Sequence, residues 1–159
     1  MADLEGARSI EIAAPPERCF AIAADLDRVP EWHGAMTHVR VLERDGDGRA
    51  VLVESELDAT VTRVRVRLRF NYDEPAAVHW SRESGDLRSL TGSWRFEEHR
   101  DGVTLATYAL EIGVGRRLAV LVRTVRGPVR NRIEALLADR PVQGLKTRAE
   151  MSSHDQSRR

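Results

Sequence analysis

The chain has 159 residues, with 25 Lys plus Arg against 25 Asp plus Glu, so its formal net charge is zero. That length suits one ordinary domain, which buries about two-thirds of its unfolded surface without staples. The charge balance argues against the basic footprint of a dedicated nucleic-acid binder.

Cys19 is the only cysteine, and none of the five histidines forms an HExxH or an i, i+4 pair. Neither a disulfide framework nor a metal or cofactor site is therefore expected. The opening MADLEGARS has no apolar stretch of the signal-peptide kind, and no run approaches the roughly 18 apolar residues of a membrane span. The cytoplasm is the expected compartment.

Ser9 to Ala13 alternates Ile10 and Ile12 with polar neighbours and predicts a short strand that Pro15-Pro16 closes. Pro16 suits a first helical turn, and Cys19, Phe20, Ile22 and Ala23 make one apolar stripe through Ala24. Asp25 to Trp32 predicts a second short helix, capped by Asp25 or Asp27 and disturbed at Pro30. From Thr37 the hydrophobic period changes to two and holds across six further strands to Ile112, with turn chemistry at Gly46-Asp47-Gly48, near Asp58-Ala59, at Ser84-Gly85-Asp86 and at Arg100-Asp101-Gly102. After Gly127-Pro128 the period is helical again, with Val129, Ile133, Leu136, Leu137 and Leu145 on one face. Pro141 should kink or restart this helix, which is expected to run to about Glu150. Residues 1–150 thus read as one domain and the polar residues 151–159 as a disordered tail.

The stretch Thr62 to Phe70, TRVRVRLRF, places Arg63, Arg65, Arg67 and Arg69 at two-residue spacing. On a strand they share one face, and Val64, Val66, Leu68, Phe70 and Tyr72 share the other. The preceding strand carries Glu54, Glu56 and Asp58 at the same period. The comb therefore reads as a solvated, charge-laddered outer face. The inward set continues through Val51, Val53, Val78, Trp80, Leu90, Trp94, Phe96, Tyr108, Leu110 and Ile112. An antiparallel sheet with one apolar face needs a cover, and the long C-terminal helix is the amphipathic element available for it. A curved sheet gripping one helix leaves a cavity, walled by aromatic side chains.

Three phrases carry a family likeness: IAAPPERCFAIAADLDRVPEW, with Asp25, Pro30 and Trp32; LTGSWRFEEHRDGVTLATYALEI, with Gly92, Trp94, Gly102 and Thr104; and the terminal GLKTRAE. Together they resemble the polyketide cyclase/dehydrase and lipid-transport family, especially its coenzyme Q-binding-like branch, within the START-like superfamily. The resemblance spans residues 8 to 150. It implies an α+β helix-grip fold, a curved antiparallel sheet of about seven strands wrapped around the C-terminal helix. It also implies a hydrophobic small-molecule partner of the polyketide, isoprenoid quinone or lipid class. Aromatase/cyclase members of the family depend on a pocket arginine, whereas the arginine comb here faces outward; Arg82 alone shares parity with Val78 and Trp80.

The expected ligand wall is Val66, Leu68, Phe70, Tyr72, Trp80, Trp94 and Tyr108, with Trp32 and His33 bordering the entrance and Arg82 at the cavity mouth. The expected function is to bind and carry such a ligand without catalysis. Two alternatives stand beside it: an aromatase/cyclase or dehydratase in which Tyr108, His33 or Arg82 handles protons, and a protein-interaction role for the apolar mouth. Residues 116–132 are basic around the apolar run Leu118 to Val122 and suggest peripheral contact with anionic membrane. GVGRR at Gly113 and TGSWR lack the full dinucleotide and nucleophile-elbow patterns, and the oligomeric state stays open.

Overall fold

The computed structural model describes residues 4–58, 63–116, 120 and 127–156, with side chains of the C-terminal helix described at 131 and 137–151. The chain runs β1 (Leu4–Ile12), α1 (Pro16–Ala24), a 3-10 helix (Leu26–Glu31), β2 (Met36–Arg44), β3 (Ala50–Asp58), β4 (Arg63–Asp73), β5 (Ala77–Gly85), β6 (Leu87–Arg100), β7 (Val103–Val114) and α2 (Gly127–Gln156). The seven strands form one antiparallel sheet in the order β1-β7-β6-β5-β4-β3-β2. Apart from β1, every strand pairs with its neighbours in sequence, because two-period segments joined by short turns have no cheaper partner. β1 closes the far edge on β7 and starts earlier than its alternation predicts, since Leu4 lies opposite Ile112 and is buried. This is the helix-grip arrangement.

The comb is a charge ladder. Asp58 stands opposite Arg63, Glu56 opposite Arg65 and Glu54 opposite Arg67. Arg67 Nε lies 3.3 Å from Glu54, Arg65 Nε 3.7 Å from Glu56, and Arg69 Nη2 2.6 Å from Glu83 on β5. Val64, Val66, Leu68 and Phe70 between them are buried on the inner face.

Two details of the strands depart from strict alternation. The β2–β3 register shifts between Glu43 and Arg44, whose partners are Leu52 and Ala50. Val51 is the extra residue of that bulge and is half-buried, while Ala50 joins the core. The β5–β6 pairing extends from Ala77 opposite Arg95 only as far as Ser81 opposite Thr91. Beyond it the end of β5 stays with β4 and the start of β6 with β7.

The helices close one end of the sheet. Asp25 makes no side-chain cap; it lies 3.6 Å from Arg28 instead. α2 stays helical across Pro141, whose ring is fully buried and held by packing. It runs past Glu150 to Gln156, although the polar composition of residues 151–159 points to disorder. Leu137, Val142, Leu145 and Ala149 are its buried face, while the expected face residues Val129, Ile133 and Leu136 lie outside the described side chains. The helix is tied down by Lys146 Nζ donating to the Glu11 carbonyl at 2.9 Å, by the Ala13 N–H donating to Glu150 at 3.0 Å and by Arg148 to Glu31 at 2.8 Å.

Candidate functional site

The chain holds three Trp, two Tyr and three Phe, and all eight belong to one network of ring contacts. It begins at Phe20 on α1, which meets Tyr72 edge-on at 6.3 Å. Tyr72 stacks on Phe70 and Phe70 on Trp80 at 5.7 Å. Trp80 meets Tyr108, and Tyr108 meets Trp94 at 4.8 Å. Trp94 contacts both Phe96 and Trp32. The period of two explains the convergence, because Phe70, Trp80, Trp94 and Tyr108 share the inner face on four adjacent strands: Trp80 is opposite Phe70, and Trp94 is opposite Tyr108. Such pairs contribute about 0.5–1.5 kcal/mol each beyond their area burial.

Gly92 makes room for this cluster. It faces Trp80 across the strands, and a Cβ there would lie 2.3 Å from the indole. Gly144 on α2 does the same for Trp32, since a Cβ would come within 1.8 Å of the Trp32 carbonyl oxygen.

His33 is 4 % exposed and lies 5.9 Å from Tyr108, ring to ring, in an edge-on arrangement. Its Nδ1 accepts the Met36 N–H at 3.1 Å. Burial without a neighbouring charge lowers its pKa to about 4, so at neutral pH the ring is uncharged and carries its proton on Nε2. Burial likewise pushes the Tyr108 phenol well above its ordinary value. Trp32 Nε1 is buried with no hydrogen-bond partner.

A small pocket of about 20 Å3 lies inside this cluster. Its lining comprises Phe70, Trp80 and Trp94 from the sheet, Trp32, His33 and Met36 from the segment before and into β2, and Ala23, Leu26 and Val29 from the short helices. It has room for one water-sized group.

The residues expected to form the wall are thus mostly together. Phe70, Trp80, Trp94 and Tyr108 meet in the network, with Val66 and Leu68 buried on the same face. Trp32 and His33 are not at a rim: both are buried, because the chain turns inward after the 3-10 helix and α2 packs behind it. Tyr72 stands apart. Its hydroxyl donates to the Ala50 carbonyl at 2.5 Å, and the Arg49 guanidinium lies 5.4 Å from its ring. Arg82 sits opposite Leu68, just past the point where β5 and β6 separate. Its Nη2 donates to the Gly85 carbonyl at 3.2 Å, and its Nε is buried without a partner.

The sequence brings only the end of the second short helix, at Trp32 and His33, to the cavity border and assigns cover to the C-terminal helix; the lining by Ala23, Leu26 and Val29 goes beyond that. The apolar stripe at Ala23, Leu26 and Val29 is the signal that marks it. A second cavity, of about 290 Å3, is a charged groove between α1 and the β2–β3 hairpin. Both of its arginines are paired within it, Arg44 with Asp27 at 3.0 Å and Arg49 with Glu74, and Asp25 and Asp47 line it as well. The basic segment 116–132 lies outside the described residues except at Arg116, Val120 and the helical start of α2, so membrane contact there stays an expectation. No helix among the described residues is long and apolar enough to cross a membrane.

A family model described as polyketide cyclase/dehydrase and lipid transport matches residues 4–150. No curated protein matches the sequence. Among solved structures, a START superfamily protein from Mycobacterium smegmatis is similar with a TM-score of 0.76 at 18% identity, covering 92% of this chain and 97% of its own. A protein of Thermus thermophilus gives 0.74 at 21% identity, over 94% of this chain and 99% of its own. The Zhui aromatase/cyclase from Streptomyces sp. R1128 gives 0.66 at 13% identity, over 98% and 95%. At these identities the likeness is one of fold.

Proposed function

Because this chain belongs to the polyketide cyclase/dehydrase and lipid-transport family, we propose that it binds an apolar, ring-bearing or chain-like small molecule against the inner face of its sheet. In this reading it acts as a carrier or chaperone, and the ligand is a polyketide, an isoprenoid quinone or a lipid. The observation that carries the proposal is the single aromatic network, which gathers every Trp, Tyr and Phe of the chain. It leaves the polar tip of Trp32 without a protein partner. A core built only for stability leaves few such groups unpaired, since each costs about 1–3 kcal/mol. Flat apolar walls with a few open hydrogen-bonding tips suit a bound organic molecule. The ligand body would lie along Val66, Leu68 and Leu90, with its tip in the small pocket beside Trp32. Arg82, where β5 and β6 part, would meet its solvent end.

Binding is favoured over catalysis by the state of the titratable groups. A general base serves best with a pKa near the working pH. His33, at about 4, is a weak base, and the Tyr108 phenol is raised by burial. Both suit fixed hydrogen-bond donors better than proton carriers.

Native mass spectrometry of freshly purified protein, followed by solvent extraction of whatever it carries, tests the proposal. The expected result is a one-to-one adduct that yields an apolar compound on extraction. A bare-chain mass, together with no binding from a panel of quinones, aromatic polyketide mimics and long-chain lipids, would overturn it.

A further inference from the structure

Two cavities meet at the junction of α1 and the 3-10 helix. Ala23 and Val29 line the small apolar pocket beside Trp32, whereas Ala24, Asp25 and Asp27 line the charged groove of about 290 Å3. Leu26 lines both. It is 3 % exposed and stands where α1 has ended at Ala24 and the 3-10 helix begins, so the residues of this junction turn to opposite sides of one thin partition. The partition is held from the β2–β3 hairpin. Arg44 Nη2 donates to both oxygens of Asp27, at 3.1 and 3.0 Å, and the Arg49 guanidinium lies 5.1 Å from the Phe20 ring on α1.

In the binding function proposed above, the tip of the ligand lies in the small pocket, whose volume of about 20 Å3 takes one methyl-sized group. Leu26 stands behind that tip, and the groove is on its far side. We propose that Leu26 is the end wall of the ligand site and sets the length of ligand the protein accepts. This rests on the binding function and deepens it: a chain that outgrows the pocket is refused by one side chain, with open space beyond it. The space beyond has a different chemistry. The groove is lined by four carboxylates, Asp25, Asp27, Asp47 and Glu74, against the two guanidiniums of Arg44 and Arg49. A chain that passed the wall would therefore bring its end into an excess of negative charge.

A series of 4-n-alkylphenols from ethyl to nonyl, titrated calorimetrically into the full chain, tests this. For the unaltered protein, affinity should rise about fourfold per added CH2 and then stop rising at one chain length. Leu26→Ala should move that limit by about three carbons or more, while the short members bind nearly as before. A polar group at the chain end gives a second readout. Beyond the old limit, an ω-amino chain should bind Leu26→Ala more tightly than an ω-hydroxy chain, a distinction that a merely loosened core does not make. Val29→Ala enlarges the pocket side alone and should show no such preference. If Leu26→Ala does not fold, Leu26→Val carries the same test with a limit moved by about one carbon. A limit that the Leu26 variants leave unmoved, a rise without limit in the unaltered protein, or an amine preference shared by Val29→Ala would overturn the end wall while leaving the binding function standing. Failure of every member of the series to bind would overturn that function, and the end wall with it.

Discussion

At the scale of single residues, His33 is the most informative position. A histidine next to a tryptophan in a short loop reads from sequence as a border residue, yet the ring is buried, burial holds it neutral, and its Nδ1 accepts the Met36 N–H. Its pKa of about 4 lies below the ordinary value of 6.5. In the window between those values the unfolded chain binds a proton that the folded chain refuses. Stability from this group is therefore fully present above pH 6.5 and is lost as pH falls toward 4, amounting to about 2–4 kcal/mol. Urea denaturation at pH 7.5 and pH 4.5 checks this: the midpoint of the unaltered protein should drop more than that of His33→Gln. Equal drops would mean that His33 is not a buried neutral ring. Parity alone could not reveal this burial, because His33 lies in neither a strand nor a helix, and only the packing of α2 behind Trp32 sets its depth.

At the scale of elements, contrasting substitutions separate structural contact from surface decoration. Ala in place of Gly within a helix ordinarily stabilises by about 1 kcal/mol. At Gly144 the added Cβ would meet the Trp32 carbonyl oxygen at 1.8 Å, and backbone cannot yield as a flexible side chain can. Gly144→Ala is thus expected to destabilise by about 2 kcal/mol or more, by forcing α2 away from the aromatic network. Arg67→Ala removes one rung of the outer ladder, where both partners are substantially exposed, and should cost less than about 1 kcal/mol. Thermal unfolding of both variants checks the pair; a gain in stability from Gly144→Ala would show that the helix does not sit this close.

The strands themselves were legible because their period of two survives in the residues: the Arg63 to Arg69 comb and its partners Glu54, Glu56 and Asp58 gave the face, while the register, with Glu56 opposite Arg65, comes from the structure. The bulge at Val51 was not legible. An extra residue in a strand leaves the alternation locally ambiguous, and only the pairing of Ala50 with Arg44 resolves it.

At the scale of the whole molecule, the sheet gathers the aromatic side chains of elements far apart in sequence onto one inner surface. Phe70, Trp80, Trp94 and Tyr108 could be placed there from parity, and the order of elements was sufficient to place the family. The cover could not be read in the same way. The C-terminal helix looked like the only amphipathic partner, but the pocket beside Trp32 is roofed by Ala23, Leu26 and Val29 from the short helices. Nine-residue and six-residue elements show too few turns for their apolar face to announce what it covers.

In the proposed function these rings wall a site open to apolar molecules and closed to ions. Quenching of tryptophan emission by iodobenzene and by iodide tests it most directly, since both are heavy-atom quenchers and only one is apolar. Saturable quenching by iodobenzene at one molecule per chain, with little quenching by iodide, is the expected result. Quenching by iodobenzene that rises linearly without saturation, or no quenching by either, would contradict it.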